Sequence, residues 1–321
     1  VLNEGAAISR LLDSLAAQTR RPDEVVFVDG GSDDGTPDIL QSAAQKGDLS
    51  FKVLVEPGAN ISRGRNVAIA AATGEVIAST DAGVRLSDGW LAALVKPFEA
   101  PDSPQVVSGV FAPDAQTAFE MAMSATVLPA LSEINPATFL PSSRSVAFTR
   151  AAWQAAGGYP EWLDYCEDLV FDLRLRQVCP AFGFAPDAVA YFRPRSSMRS
   201  FFKQYYHYAR GDGKADLWRR RHAIRYLTYL AALPLLVVLG AWLSPWWWIA
   251  GLAIAAVGHL GTPYRRLWPF LKTMRWRDRL YAVVLVPAIR VTGDVAKMIG
   301  YPVGLVWRWR RLRSQPAIRW R

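Results

Sequence analysis

The chain has 321 residues, 51% of them hydrophobic, with 37 Lys/Arg against 28 Asp/Glu and two cysteines. That leaves room for a large core and excludes a disulfide-built scaffold. The net charge of +9 is unevenly spread: residues 1–216 hold 19 basic and 26 acidic side chains, a balance of −7, and residues 217–321 hold 18 basic and two acidic, a balance of +16. The basic residues of the second half flank long uncharged runs, which points to a membrane surface and away from nucleic acid.

In chain order, Val1–Glu4 reads as the end of a strand running into a helix. With no initiator Met, the chain reads as a fragment whose first strand is largely missing. Ile8, Leu11, Leu12 and Leu15 keep helical spacing and predict a helix from about Gly5 to Thr19. Glu24–Val28 is a β-branched run ending in the turn Asp29-Gly30-Gly31-Ser32, and Thr36-Pro37 starts a second helix with Pro in its first turn. Strands are expected at Phe51–Glu56, Glu75–Thr80, Gln105–Phe111 and Ser145–Phe148. Helices are expected at Ser62–Thr73, from a Ser87/Asp88 cap through Phe98, at Arg150–Ala156, at Glu167–Gln177 and at Ser197–Arg210. Phe182–Phe192 reads as a strand pair, and 116–141 as a variable, acceptor-facing insertion. Strand–helix alternation at this spacing implies an α/β fold with a mostly parallel sheet covered on both faces, whose ligands bind at the carboxyl ends of the strands. Asp29 and Asp81 both sit at such ends. Cys166 and Cys179 lack metal-site spacing and read as free thiols of a reducing compartment.

Tyr226–Tyr264 contains no Asp, Glu, Lys or Arg. As one helix it would span about 58 Å, nearly twice a bilayer core. Ser244-Pro245 interrupts it, so two spans, about 226–243 and 246–263, are expected, with Trp246, Trp247 and Trp248 at the far interface. Arginines flank the run on both sides, which puts both ends in the cytoplasm. Along 280–307, Arg290, Asp294 and Lys297 share one helix face. A charged stripe on an apolar helix suits an interfacial helix, with a third span carrying an internal ion-pair stripe as the alternative. The expected division is a catalytic domain at 1–215 and a membrane-anchoring region at 216–321, in the inner (plasma) membrane with the catalytic domain facing the cytoplasm.

Asn3-Glu4 after a strand, the run Val28 to Thr36 (VDGGSDDGT), Arg63-Gly64-Arg65-Asn66, Thr80-Asp81-Ala82-Gly83 and Glu167-Asp168 occur in one order and spacing. Together they resemble glycosyltransferase family 2, with its GT-A fold, over roughly residues 1–212. The resemblance implies an inverting transfer of a sugar from a nucleotide-diphosphate sugar (UDP- or GDP-linked) to a hydroxyl of a lipid-linked or glycan acceptor. It implies donor binding by Asn3, Glu4, Asp29, Arg63, Arg65, Asn66, Asp81, Gly83, His207 and Arg210. Asp168, beside Glu167, takes the place of the general base, and Trp162 and Tyr165 lie where an acceptor sugar could stack. Asp81 matches the first position of the DxD motif that holds Mg²⁺ or Mn²⁺. The third position is Gly83, so the metal ligation departs from the pattern.

The residues leave other readings beside these. Asp29 could serve only an Asx-turn, Arg63 and Arg65 could pair with carboxylates, and Asp168 could be only a helix cap. The segment Gln204 to Asp212 matches the QxxRW motif of processive synthases only in part, because no Trp follows Arg210. The alternative function is a catalytically inactive nucleotide-sugar-binding membrane scaffold. A nucleotidyltransferase would need a glycine-rich phosphate loop after the first strand, where Asn3-Glu4 stands instead.

Overall fold

The structure, a computed structural model, describes residues 1–47, 49–179 and 181–320. The chain divides into two compact units, Val1–Asp114 with Leu131–Arg193, and Ala115–Ala130 with Pro194–Arg321. The boundary expected at 215/216 falls inside the second unit, because the helix over 198–215 packs along the last long helix of the chain.

In the first unit, helix α1 (Ile8–Ala16) buries Ile8, Leu11 and Leu15 on one face. Strand β1 (Val25–Asp29) pairs in parallel with β2 (Phe51–Val55), and α2 (Thr36–Lys46) crosses between them, with Pro37 in its first turn and Gly47 closing it at φ 74°. Val1 lies beside β1: its terminal ammonium donates to the Val28 carbonyl at 2.7 Å and its carbonyl accepts from Gly30 N–H at 2.9 Å. Helix α3 (Ile61–Ala71) is capped by Asn60, whose side chain accepts from Arg63 N–H. Strands β3 (Val76–Ser79) and β4 (Val84–Leu86) and helix α4 (Trp90–Val95) follow, then β5 (Val106–Pro113). The chain then leaves the unit for α5 (Ala118–Val127) and returns for β6 (Val146–Thr149), α6 (Arg150–Ala155), α7 (Glu167–Val178) and β7 (Gly183–Phe192).

The α/β assignment holds, but the sheet is not mostly parallel. Five strands run in the order β3-β6-β5-β7-β4, and among the described pairs only β1/β2 and β5/β7 are parallel. Strand β6 runs antiparallel to both of its neighbours, β3 and β5, and β4 runs antiparallel to β7 at the edge; which strands meet sets these directions. The expected strand pair at 182–192 is one strand, with an irregularity opposite Ser108–Val110. The core includes Phe148, Tyr159 and Phe171, with Tyr159 stacked on Phe171 at 4.1 Å between ring centroids. Burying side chains of this size contributes roughly 1.5–3 kcal/mol each. Cys166 and Cys179 are free and buried.

The second unit is helical: α5, then α8 (Met198–Ala215), α9 (Arg219–Leu227), α10 (Leu233–Trp242), α11 (Trp246–Ile254), α12 (Gly261–Leu271) and α13 (Trp276–Arg311). The stretch 116–141, expected as a variable, acceptor-facing insertion, contains a helix capped by a Thr117/Glu120 box, and α5 packs on α12 and α13. Helices α9 and α10 run on through a π-turn as one stretch, Arg219–Trp242, and α11 and α12 do the same. They form a hairpin about the turn at Ser244-Pro245. A Cβ at Gly240 would collide with the Trp248 ring, and Trp248 Nε1 donates to the Val237 carbonyl at 3.3 Å.

Among the described residues one helix, Arg219–Trp242, is long and apolar enough to cross a membrane, with a mean hydropathy of 1.7 and only 6% of its apolar window buried. A low buried share sets it apart from the core helix of a soluble protein. The second expected span, 246–263, does not reach that measure; Gly258, His259 and Thr262 dilute it.

Helices α8 and α13 meet backbone to backbone. A Cβ on Gly300 would lie 2.2 Å from the Tyr206 carbonyl oxygen, and one on Gly304 would lie 2.1 Å from that of Arg210. Gly213 faces them from α8. Gly300 and Gly304 are a small-xxx-small pair, the spacing that lets helices approach closely. We expect Gly304→Leu to force α8 and α13 apart and destabilise the chain by about 1–3 kcal/mol or more. Thermal unfolding in detergent checks it, with exposed Ala317→Leu as the control.

Candidate active site

The first unit gathers charged side chains at the ends of its strands. Asp81 follows β3 directly. One of its carboxylate oxygens accepts from Arg65 at 2.5 Å and the other lies 3.4 Å from Arg144 Nε. Arg65, on α3, is 12% exposed and reaches Glu167 at 2.7 Å with its other terminal nitrogen. One guanidinium therefore ties the end of β3 to the start of α7. Arg144 precedes β6, lies over the Phe192 ring at 5.2 Å and stays partly open to solvent.

The helix that carries Glu167 and Asp168 begins abruptly. Cys166, buried, adopts φ 64° and ψ 19°, a left-handed conformation rare for a residue with a Cβ. That kink turns the chain so that both carboxylates fall in the first turn of α7, where the helix dipole favours negative charge. Asp168 is half-buried and accepts from Leu169 N–H at 2.9 Å. Glu167 and Asp172 are buried.

Burial governs the protonation of this group. It pushes Glu167 up to about 7, helped by the neighbouring Asp168 carboxylate and opposed by Arg65. It also raises Asp168, against the pull of Arg65 and Arg144. Asp172, one turn beyond Asp168 and with one oxygen that finds no hydrogen-bond donor among the described residues, is raised well above the usual range by burial and by Asp168. Asp81 moves the other way: although burial opposes it, Arg65 and Arg144 hold its carboxyl below the usual range. The site thus separates an aspartate fixed as an anion from carboxyls poised to carry protons.

A second group surrounds the turn after β1. Asp29 is buried, and one of its oxygens accepts from Gly31 N–H at 3.1 Å and Ser32 N–H at 3.0 Å, so it forms the Asx-type turn. Asn3, at φ 53°, locks onto the same loop: its amide donates to Ser32 Oγ and its side chain accepts from Asp33 N–H. Glu4 N–H donates to Thr36 Oγ1. The two groups adjoin at Gly83, where an added Cβ would lie 3.8 Å from Glu4 Oε2, in ordinary contact.

Other expected donor residues are employed elsewhere. Arg63 is half exposed and pairs with Glu56 and with Glu161. Asn66 clasps the backbone of Tyr159, donating to its carbonyl at 2.8 Å and accepting from its N–H at 2.8 Å. That clasp, with a further bond from the Asn66 amide to the Glu161 carboxylate at 3.1 Å, fixes the approach to α7. Trp162 and Tyr165 lie half-buried on the same approach. His207 and Arg210 belong to the second unit, on α8. Arg144 and the brace made by Arg65 were not read from the sequence. Arg144 stands alone before β6 with no motif around it.

Residues 1–149 match the family model described as glycosyl transferase family 2. Over those residues, just under half of its length, the chain is similar to a family 2 glycosyltransferase domain. Among curated relatives, an uncharacterized glycosyltransferase of Nostoc sp. is 31% identical over 100 residues, and EpsH of Bacillus subtilis is 38% identical over 91 residues. The chain spans 31% and 25% of those two proteins' own lengths. The succinoglycan biosynthesis protein ExoA of Rhizobium meliloti is 28% identical over 268 residues, 78% of each chain. The fold is shared with the mannosyltransferase PcManGT of Pyrobaculum calidifontis, solved with GDP-Man and Mn²⁺. That match has a TM-score of 0.54 at 23% identity and covers 93% of this chain and 85% of that one.

Arg65 is the charge on which the site's carboxylates depend. In Arg65→Met the folded-state values of Asp81, Glu167 and Asp168 all rise. The folded chain then holds more protons than the unfolded chain around neutral pH, so stability falls as pH rises. Removing one partner of a buried ion pair costs about 3–5 kcal/mol. The expected outcome is a melting temperature lowered more at pH 8 than at pH 5, read by thermal denaturation against wild type at both values.

Proposed function

We propose that the chain is an inverting glycosyltransferase. It moves a sugar from a nucleotide-diphosphate sugar, UDP- or GDP-linked, to a hydroxyl of a membrane-associated or cell-envelope acceptor, lipid-linked or glycan. The observation that carries this reading is the ionic group on the family 2 domain: an anionic Asp81 between two guanidiniums, joined through Arg65 to the carboxylates that open α7. The 78% coverage of ExoA supports an envelope acceptor. The PcManGT fold, known with GDP-Man and Mn²⁺, supports a nucleotide-sugar donor.

In this mechanism Asp168 is the general base, taking the proton of the acceptor hydroxyl as that oxygen attacks the anomeric carbon opposite the diphosphate. Desolvation raises its basicity, against the pull of Arg65 and Arg144 toward the ionised form. Arg144 meets charge developing on the diphosphate. Asp29, through its turn, and the Asn3-Glu4 latch shape the nucleotide's seat.

Among the described residues no three Asp, Glu, His or Cys side chains converge as a closed metal cage. Asp81, with Glu4 beside Gly83, still fits Mg²⁺ or Mn²⁺, because such ions are held by one or two carboxylates plus substrate phosphates. When bound, the cation neutralises the leaving diphosphate.

Membrane association is part of the proposal. It is supported by the apolar Arg219–Trp242 helix and by Leu230, Leu233, Leu235, Val237 and Val238, all exposed. Arginines at both feet of the hairpin support an inner-membrane location with the catalytic domain on the cytoplasmic side.

Asp168→Asn should lower kcat by about 10²–10⁴-fold, the usual range for a lost general base, with donor KM little changed. The assay is release of nucleoside diphosphate with Mn²⁺ across a panel of UDP- and GDP-sugars. Undiminished turnover would remove Asp168 as the base, and donor binding without any turnover in the wild type would leave a scaffold. In the wild type, kcat/KM should rise with pH along an acid limb lying above the range of an ordinary aspartate, since the base acts only once deprotonated. A pH–rate profile measures it.

A further inference from the structure

Helix α13 is apolar on two faces. Leu280, Val284, Val291, Val295, Ile299, Val303 and Val306 are exposed, while Ala282, Val286, Ile289 and Ala296 are buried, and Asp294 is buried with them. The charged stripe noted in the sequence is therefore not turned outward, as an interfacial helix requires, but into its own unit. Asp294 accepts from Arg225 Nε at 2.7 Å and from the Tyr229 hydroxyl at 3.1 Å, and lies 3.2 Å from His259 Nε2. It thus joins α13 to both arms of the hairpin.

The cluster carries more positive charge than Asp294 can balance. Arg225, Arg290 and Lys297 face one buried carboxylate. Arg225 also bonds His222, which in turn contacts Asp212, so its donors are committed. Arg290 is not so committed. Its Nε lies 3.4 Å from His259 Nε2 and 4.0 Å from Asp294, and its two terminal nitrogens make no hydrogen bond among the described residues. Lys297, half-buried, holds its ammonium over the Tyr205 ring at 4.9 Å and has no hydrogen bond or ion pair there. A guanidinium fork about one third exposed and a half-buried ammonium, two helical turns apart on one side of α13, offer several donors to an oxyanion with several acceptor oxygens.

We propose that Arg290 and Lys297 bind the phosphate of a ligand at the helical unit, and that exposed apolar side chains of the same unit take the lipid chain attached to it. The ligand class is a phosphate or diphosphate ester; a lipid headgroup and free phosphate share that chemistry. The assignment deepens the membrane-acceptor reading and rests on it for the lipid, but it does not depend on the transfer reaction.

The test uses the full chain in phosphatidylcholine nanodiscs, undoped or doped with a polyprenyl phosphate, with tryptophan fluorescence and native mass spectrometry reporting binding. Retention of the phosphate lipid is expected, weakened at least tenfold in Arg290→Gln and in Lys297→Met and restored in Lys297→Arg. Arg277→Gln, exposed and outside the cluster, should match wild type. Inorganic phosphate that fails to compete at millimolar concentration identifies the lipid headgroup; full displacement by it identifies a free-phosphate site. Equal retention in wild type, Arg290→Gln and Lys297→Met, all with native circular dichroism, overturns the proposal. Nucleotide-sugar binding measured on the same samples separates the two readings: a lost phosphate lipid with intact donor binding touches only this site.

Discussion

One buried guanidinium organises the first unit. Arg65 reaches Asp81 with one nitrogen and Glu167 with another. Without it, several carboxylates would crowd a desolvated space, and burying an unpaired carboxylate costs several kcal/mol. With it, a strand end and a helix start, 86 positions apart in the chain, are held as one surface. The brace also sets the electrostatics. It keeps Asp81 anionic while Glu167 and Asp168, less fully compensated, drift upward. An arginine so engaged has few donors left for a diphosphate. That shifts attention to Arg144, more exposed and less tightly paired with the same Asp81.

Around this brace, much of the local structure serves approach and angle. Asn66 holds both backbone groups of Tyr159, and Tyr159 stacks on Phe171 of α7. Cys166 then takes a left-handed turn that the packing must hold in place, since such a conformation is unfavourable for a residue with a Cβ. Each step narrows the direction in which Glu167 and Asp168 emerge. The first-strand motif works similarly. Asn3 and Asp29 spend their hydrogen-bonding capacity on the loop between them, so their contribution is the shape of that loop.

The sequence was most legible where a local rule decides. Apolar periodicity located α1, and Thr36-Pro37 marked the start of α2. The charge split marked the helical unit, and the spaced aspartates marked the ends of β1 and β3. Strand direction was not legible, because pairing is set by which edges meet and not by any property of a single strand. The helix at 118–127 was missed because its apolar residues are buried on most sides and leave no amphipathic stripe. The roles of Arg63 and Asn66 could not be separated from that of Arg65 in one motif. The three differ only in which way the helix turns them, and Gly64 between them carries no signal of that. Arg144 had no sequence signal, whereas the Gly300–Gly304 pair was a readable motif that went unread.

Helix α13 shows how one sequence can satisfy two solvents. In water, a helix with Val284, Val291, Val295 and Ile299 exposed and Asp294 buried would be assembled backwards. On the membrane reading proposed above the same arrangement is the stable one: apolar side chains face lipid, and polar ones must find each other inside. The glycines of α13 follow from the same condition. Where lipid removes the hydrophobic drive between helices, close packing has to supply the attraction, and only a residue without a Cβ lets α13 touch the α8 backbone at Gly300 and Gly304. On that same reading the inward charges and the inward glycines are two consequences of a single outward apolar face.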